Sequence, residues 1–390
     1  MATTFHDSGD DVEIAQIDEN VYSVRLPGPS HLNVYRDSLE GEDADAVLEA
    51  LDRLRGLAEI RRAISLVHLP FWAPVVEKAK RRWDWRIFYD CMDEHHGFTT
   101  TNDTMLAHEA DLARMSDLVS VSSHALESKL APIARSVVRL PNAADFEHFQ
   151  EAAGSPEIAR LPGPVVGYYG AISDWFDDEM IWEAASKRPD WTFVLIGDTA
   201  GGRTAWMEGL TNVHMLGEKP YPDVPAFLHA FDVACIPFRL TSLTEATNPV
   251  KFFEYLSAGK PVVATDLPEL RPYRDHVYPA ASAEEFIQQV ERALEEDSEE
   301  RRAKRREFAQ TQTWKHRYGE LRRNIRPLYP KVSVIIVSYD NLDYLRLCLD
   351  SIWEYTDYQN FEVIVVDNGS SLALREFLED AASNEPRLRV

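Results

Sequence analysis

The sequence predicts an α/β protein built on parallel sheets. Short apolar segments rich in β-branched residues alternate along the chain with segments of helical periodicity. This alternation is typical of parallel sheets that are covered by helices on both faces. Hydrophobic residues make up 45% of the 390 residues, which is enough for two or three domains with cores of their own. In such sheets, ligands bind beyond the carboxyl ends of the strands.

The first domain is predicted to span residues 1–145. Its first ten residues are polar and are predicted to be disordered. Strands and helices then alternate as far as residue 140. The predicted strands are 12–17, 20–26, 63–69, 86–89, 118–122 and 137–140, and the predicted helices are 44–57, 74–81, 104–114 and 123–134.

A second α/β domain is predicted over residues 146–310. Its highly charged segment 295–306 is predicted to be a solvent-exposed helix. Two prolines mark residues 327–331 as a linker, after which a βαβ pattern restarts over 332–390. The predicted strands are 165–169, 192–196, 213–216, 233–237, 261–264, 332–339 and 361–366, and the predicted helices are 178–186, 224–230, 311–325, 342–353 and 372–382.

Composition restricts the partners and the location of the protein. The chain has 65 acidic and 41 basic residues, a formal net charge of −24, which argues against binding nucleic acid or anionic membranes over its whole surface. Cys91, Cys235 and Cys348 are far apart, and we expect the last two to be buried, reduced thiols. No signal peptide or membrane-length apolar run is visible. We therefore expect a cytoplasmic protein, with peripheral association with the inner face of the membrane as an open alternative.

The most informative stretch is T-N-P-V-K-F-F-E-Y-L-S-A-G-K-P-V-V-A-T-D, residues Thr247–Asp266. Asn248 is predicted to be the N-cap of a short helix. Lys251 and Glu254 are three residues apart, so they share a face of that helix near its N-terminus. Free N–H groups and the helix dipole favour phosphate at this end. A carboxylate one turn further along could accept hydrogen bonds from a ribose diol.

This stretch resembles the nucleotide-binding signature of GT-B glycosyltransferases of the large group that includes family 4. The segments Glu109–Leu126 and Val137–Phe149 resemble the same enzymes and occur in the expected order. The resemblance implies two Rossmann-like domains facing a cleft, with a helix over 311–326 returning to the first domain. It implies that Glu254 binds the ribose of a nucleotide-sugar donor and that Lys251 binds its phosphate. Further donor-binding candidates are Thr247, Asn248, Gly170 and Ser173.

Two differences from the family pattern leave the donor and the stereochemistry of transfer open. Family members usually carry E-x7-E, but residue 246 is Ala, and the first Glu is either absent or shifted to Glu245. The segment 174–177, where a basic pair is common, contains no cation. Lys251 is therefore the main positive side chain that is predicted for the donor site.

The acid or base of the reaction is expected in the first domain, in the polar loop that follows the strand at 86–89. Asp93, His95 and His96 are the candidates, because a carboxylate or an imidazole can accept a proton near neutral pH. The sequence D-C-M-D-E-H-H can also be interpreted as a metal site. Since helix dipole and cations serve the pyrophosphate in GT-B enzymes, we expect no cofactor and no metal.

The last segment resembles the start of a family 2, GT-A-type glycosyltransferase. The matching motifs are V-S-V-I-I-V-S-Y-D-N and E-V-I-V-V-D-N-G-S-S. The resemblance implies that Asp367 contacts a nucleotide base and that Tyr339 lines the pocket. No D-x-D follows to hold a metal and a diphosphate. We therefore expect a partial GT-A-like βαβ unit, and the remainder of a multi-domain transferase as a further partner.

The expected function is transfer of a sugar from a nucleotide-sugar donor to a hydroxyl of a glycan or lipid-linked acceptor. Two alternatives stay open. One is a non-catalytic nucleotide-sugar-binding or scaffold module, and the other is a sugar-nucleotide epimerase with a GT-B fold.

Overall fold

The computed structural model describes residues 12–26, 32–98, 101–199, 205–207 and 209–390. The disorder predicted for residues 1–10 lies outside these ranges. The chain divides into two units, 1–320 and 321–390. The first unit opens with an antiparallel hairpin of β1 (Glu13–Asp18) and β2 (Val21–Arg25).

The first Rossmann-like domain contains a four-stranded parallel sheet in the order β3-β4-β5-β6. All four residues of β5 are buried, as a central parallel strand requires. Asn102 and Ser123 cap helices α3 and α4 with their side-chain oxygens. The elements are α1 (Gly41–Leu57), β3 (Ile64–Val67), α2 (Ala73–Trp83), β4 (Arg86–Cys91), α3 (Asp103–Met115), β5 (Leu118–Val121), α4 (His124–Leu130) and β6 (Val137–Arg139).

The second domain contains a six-stranded parallel sheet in the order β12-β11-β10-β7-β8-β9. Counted within the domain this order is 6-5-4-1-2-3, the doubly wound arrangement whose ligand crevice lies between the first and fourth strands, here β7 and β10. The elements are α5 (Phe146–Phe149), β7 (Val165–Tyr169), α6 (Asp178–Lys187), β8 (Thr192–Ile196), β9 (Val213–Met215), α7 (Val224–His229), β10 (Val233–Ile236), α8 (Ser242–Glu245), α9 (Val250–Ser257), β11 (Val262–Thr265), β12 (Tyr278–Ala280), α10 (Ala283–Glu296), α11 (Glu299–Gln310) and α12 (Trp314–Ile325).

The chain crosses between the two domains of the first unit twice, and the crossings lie side by side. Ala144 and Thr313 form a parallel β-bridge, and Arg317 of α12 donates from Nε to the carbonyl of Pro141 at 2.8 Å. The helix predicted over 311–326 therefore does return to the first domain. A further contact joins the two domains, because the carboxylate of Glu269 accepts from the N–H of His124 at 2.8 Å.

The second unit is a three-stranded parallel sheet in the order β13-β14-β15 with two helices. β13 lies at an edge, and Ile335 and Val337 are exposed on one of its faces, whereas the sequence predicted a buried strand. Cys348, also predicted to be buried, is exposed; Cys235 is buried as predicted. The elements are β13 (Val332–Ser338), α13 (Leu342–Tyr355), β14 (Phe361–Asp367), α14 (Leu372–Asn384) and β15 (Leu388–Arg389).

The prediction of one solvent-exposed helix over 295–306 is wrong. The segment contains the end of α10 and the start of α11, because Ser298 caps α11 by accepting from the N–H of Arg301. Arg305 is buried, pairs with Asp297 and donates to the carbonyl of Gly259 at 2.8 Å. In the described residues, no helix has the length and apolarity that a membrane span needs.

Candidate active site

A cavity of about 530 Å³ lies at the carboxyl ends of the strands of the second domain, where the doubly wound order places its crevice. It is lined by residues of both domains of the first unit. Asp93, Phe98 and Asn142 come from the first domain and its crossing segment. The second domain contributes the end of β7, the loop after α8 and the start of α9, including Thr247, Asn248, Lys251 and Glu254. All of the sequence-predicted donor residues except Ser173 therefore line one cavity.

Lys251 carries a largely buried positive charge that faces this cavity. Its Nζ lies 5.1 Å from the ring centroid of Tyr168 and 5.0 Å from that of Phe238. Within the described residues no carboxylate lies at ion-pair distance from it, and its close contacts include the faces of these two rings. Burial lowers the pKa of Lys251 to about 8, although the nearby Glu254 acts in the opposite direction. A desolvated cation without a partner is a strong attractor for an anionic ligand.

Gly170 affects this site through its backbone conformation and its lack of a side chain, whereas the sequence predicted that it binds the donor directly. The backbone N–H of Gly170 was expected to bind the pyrophosphate of the donor. This N–H already donates to the carbonyl of Ile196 at 2.8 Å. Instead, Gly170 has a φ of +132°, and a Cβ at this position would stand 2.9 Å from Nζ of Lys251. Glycine therefore provides the space that the lysine occupies. Ser173, the other predicted residue of this loop, does not line the cavity.

Glu254 lies deep in the same cavity and is buried. Its Oε2 accepts a hydrogen bond from the hydroxyl of Tyr169 at 2.7 Å. Burial raises the pKa of Glu254, and the hydrogen bond from Tyr169 partly offsets this effect. The second carboxylate oxygen is left for a ligand. The sequence did not identify Tyr169, because a tyrosine ending an apolar strand has the same pattern as a core residue.

Asn248 connects the two domains rather than capping α9. Its Oδ1 accepts from the N–H of Asn142 at 2.9 Å, and its carbonyl accepts from Nδ2 of Asn142 at 2.6 Å. The N-cap of α9 is Pro249, which has no side-chain acceptor. Thr247 lines the cavity, but its hydroxyl donates to the carbonyl of Leu243 at 2.8 Å. The side-chain amide nitrogen of Asn248 is therefore the better donor for a ligand.

The three catalytic candidates of the first domain are not equivalent. Asp93 lines the main cavity and also a neighbouring cavity of about 360 Å³, and desolvation by the surrounding walls raises the pKa of its carboxyl. His95 is buried and lines only the second cavity. His96 is exposed and lines neither. The geometry therefore favours Asp93 as the group that can meet a ligand in both cavities.

Several residues that line the main cavity could not be identified from the sequence. Asn142 and Phe98 stand in loops, and Trp175, Tyr221 and Phe238 resemble ordinary core aromatics. The ring of Tyr221 is half exposed and stacks on His148, with centroids 4.6 Å apart. A planar base could stack on the other face of such a ring.

In the second unit, Tyr339 and Asp367 stand at the carboxyl ends of two paired strands, since Ser338 pairs with Asp367. Tyr339 is exposed. Asp367 is occupied by its own loop, because both carboxylate oxygens accept from the N–H of Ser370, at 3.1 and 3.3 Å. Their predicted contact with a nucleotide stays a prediction.

Comparison with known proteins identifies relatives of two segments of the chain. Residues 163–296 match the family model "Glycosyl transferases group 1", and residues 333–390 match "Glycosyl transferase family 2". TuaH of Bacillus subtilis (strain 168), whose name assigns it to teichuronic acid biosynthesis as a glycosyltransferase, is 30% identical over 256 residues. That match covers 60% of this chain and 64% of TuaH, so the chain spans less than two thirds of this relative.

Solved structures show the fold. The chain is similar to sucrose-phosphate synthase from Thermosynechococcus elongatus, with 15% identity and a TM-score of 0.65 over 84% of this chain and 88% of the synthase. It is also similar to HepE from Anabaena in complex with UDP-glucose, with 18% identity and a TM-score of 0.57 over 74% and 84% of the two chains. The predicted α/β, GT-B architecture is confirmed. The chain therefore has a GT-B fold, with similarity to group 1 glycosyltransferases over residues 163–296 and to family 2 glycosyltransferases over residues 333–390.

Proposed function

We propose that the first unit transfers a sugar from a nucleoside-diphosphate sugar to an acceptor hydroxyl, in the synthesis of a polysaccharide or glycoconjugate. The proposal rests on the observation that Lys251 and Glu254 line the same cavity. A desolvated cation suits a diphosphate, and a buried carboxylate with a free oxygen suits a ribose diol. The neighbours that bind UDP-glucose or UDP support a uridine nucleotide as the first donor to test.

Asp93 is proposed as the group that accepts the proton of the acceptor hydroxyl. It lies where the main cavity meets the neighbouring one, and the acceptor would enter through the latter. The name of the relative TuaH supports a cell-envelope glycan or its lipid-linked precursor as acceptor. Accordingly, we propose a cytoplasmic site of action, with peripheral attachment to the membrane that carries the acceptor. Neither a cofactor nor a metal on the diphosphate is part of this proposal.

A donor screen tests the proposal. Calorimetric titration with UDP, GDP, ADP and CDP should identify one nucleotide that binds wild type clearly more tightly than the others. Release of that nucleotide from its sugar form should then accelerate when glycan acceptors are added. Nucleotide binding without turnover on any acceptor would favour the non-catalytic scaffold alternative. Conversion of the donor without acceptor would favour the epimerase.

Donor affinity is expected to fall at alkaline pH because Lys251 must be protonated to bind a diphosphate. Burial lowers the pKa of Lys251 to about 8, so deprotonation of this lysine should not reduce the affinity near pH 7. Above pH 8 the dissociation constant should rise toward tenfold per pH unit, because binding then requires uptake of one proton. Titrations of the diphosphate between pH 6.5 and 9.5 measure this slope. In Lys251→Met the slope should vanish; an identical slope in that variant would assign it to another group.

Tyr169→Phe should lower the free energy of unfolding by about 1.5 kcal/mol, the contribution of a hydrogen bond to a charged group, and should weaken donor binding because Glu254 loses the contact that orients its carboxylate. The hydroxyl of Tyr169 favours the charged form of Glu254, so its loss should raise the pKa of that carboxyl further. The low-pH limit of donor binding should therefore move to higher pH. Tyr255→Phe is the matched control, because it removes a neighbouring buried hydroxyl that accepts from the backbone N–H of Tyr169 at 3.3 Å. Equal effects of the two variants would refute a specific role of Tyr169.

A further inference from the structure

A second group of side chains lies behind the acceptor-side loop. Cys91 ends β4, His95 follows in a one-turn 3-10 helix, and Glu109 lies in α3. All three are buried, and one ligand atom of each lies within 4.8 Å of the other two. Sγ of Cys91 is 3.8 Å from Oε1 of Glu109. Tetrahedral zinc with bonds of about 2.0–2.3 Å holds its ligand atoms roughly 3.3–3.8 Å apart, so movements on the order of 1 Å would close this group on an ion.

His95 provides an independent observation. Its side chain is 6% exposed, and its Nε2 is fully buried without a hydrogen-bond partner among the described residues. A buried polar atom without a partner is costly and rare in folded proteins. His95 also lines the cavity of about 360 Å³, and one of its ring nitrogens lies within 4.8 Å of the ligand atoms of Cys91 and Glu109. An imidazole nitrogen in that position would gain its missing partner from a metal ion.

The surrounding charges balance a divalent cation. Lys129 donates from Nζ to Glu94 at 2.5 Å and to Oε2 of Glu109 at 2.9 Å. Oε1 of Glu109 accepts a longer hydrogen bond from the hydroxyl of Tyr89, at 3.4 Å, and has a second lone pair for a further ligand. A thiol binds a metal as the thiolate. With Cys91 ionised, two glutamates, one thiolate and one ammonium sum to −2. A dication therefore makes the buried group neutral, as a low-dielectric site requires.

We propose that Cys91, His95 and Glu109 bind one divalent transition metal ion, with Zn²⁺ as the ion that suits a thiolate, an imidazole and a carboxylate. Its role would be structural. The three ligands join the end of β4, the loop and α3, and Asp93 lies between the first two of them in sequence. The ion would thus fix the loop that presents Asp93 to both cavities. This site is distinct from the donor diphosphate, which Lys251 serves.

Metal uptake by the full chain tests this proposal. Protein freed of metal with a chelator should take up about one Zn²⁺ per chain, and Co²⁺ should produce a thiolate-to-cobalt charge-transfer band. Zinc-edge X-ray absorption on wild type should show one sulfur and otherwise nitrogen or oxygen ligands. Cys91→Ser, His95→Gln and Glu109→Gln should each lower zinc affinity by more than roughly a hundredfold, since even changes behind the ligands cost 10–100-fold.

Cys348→Ser is the control, because the thiol of Cys348 is exposed and lies in the second unit. This substitution should leave the charge-transfer band and the zinc stoichiometry unchanged. The wild-type absorption spectrum keeps the test decisive even where a ligand variant fails to fold. Wild type that retains no zinc above trace level, or a zinc shell without sulfur, would overturn the proposal. Unchanged zinc affinity in folded Cys91→Ser and His95→Gln would overturn it as well.

Discussion

Lys251→Met is expected to abolish tight donor binding and at the same time to stabilise the fold. Loss of charge-assisted hydrogen bonds to the diphosphate should cost about 2–3 kcal/mol, or roughly 30–150-fold in the dissociation constant. Inorganic pyrophosphate should lose affinity by a similar factor, because the lysine contacts only the phosphates. Calorimetric titration of the nucleotide and of pyrophosphate measures both losses.

The same variant should bind the donor more weakly but have a higher free energy of unfolding. A lysine whose pKa is lowered in the folded state binds fewer protons there than in the unfolded chain, so its charge opposes folding below pH 8. The unfavourable contribution of this charge to folding decreases as pH rises from about 8 toward the pKa of lysine in the unfolded chain. At pH 7, Lys251→Met should therefore raise the free energy of unfolding by about 1–3 kcal/mol. Lys304→Met, an exposed lysine paired with Glu300, is the control and should change neither quantity. A destabilised Lys251→Met that retains pyrophosphate binding would contradict both expectations.

Glu254→Gln should weaken nucleotide binding by roughly 10–100-fold, because a carboxylate accepts the two hydroxyls of a ribose more strongly than an amide does. The amide can still accept from Tyr169, so the fold should be preserved. Pyrophosphate affinity should be unaffected. The ratio of nucleotide to 2′-deoxynucleotide affinity should fall from a large value in wild type to near one in the variant, and titrations with both ligands measure it.

Glu245→Gln is the matched control for this experiment. Glu245 lies on α8, nine residues earlier, is exposed and does not line the cavity. Unchanged nucleotide binding in this variant would show that Glu245 does not take the role of the first glutamate of the E-x7-E pattern. A loss as large as that of Glu254→Gln would instead assign the ribose contact to both residues.

Local patterns were sufficient to predict the fold. Parallel strands such as 165–169 and 192–196 are mostly apolar in sequence, and the structure has both at the same bounds and buried along their whole length. Lys251 and Glu254 were found for a similar reason, since both lie on one short helix. The helix break at Asp297 was missed although a signal existed, because Ser298 followed by two glutamates is a helix start.

The rest of the site depends on contacts between distant parts of the chain. Tyr169 and Glu254 are 85 residues apart, and Asn142 and Asn248 are 106 residues apart. The N–H of Gly170 is unavailable only because Ile196 pairs with it. No spacing rule joins such residues, so the sequence predicted the ligand-facing helix but not the side chains that orient it.

The edge position of β13 has a consequence for the behaviour of this protein in solution. An uncharged strand of seven residues, V-S-V-I-I-V-S, pairs on one side only within the described sheet and exposes apolar side chains on one face. Such an edge is a template for pairing with another chain. The net charge of −24 keeps molecules apart at low ionic strength, but the screening length falls from about 10 Å at 0.1 M salt to about 3 Å at 1 M. Colloidal stability should therefore decrease as salt is added, the reverse of ordinary salting-in.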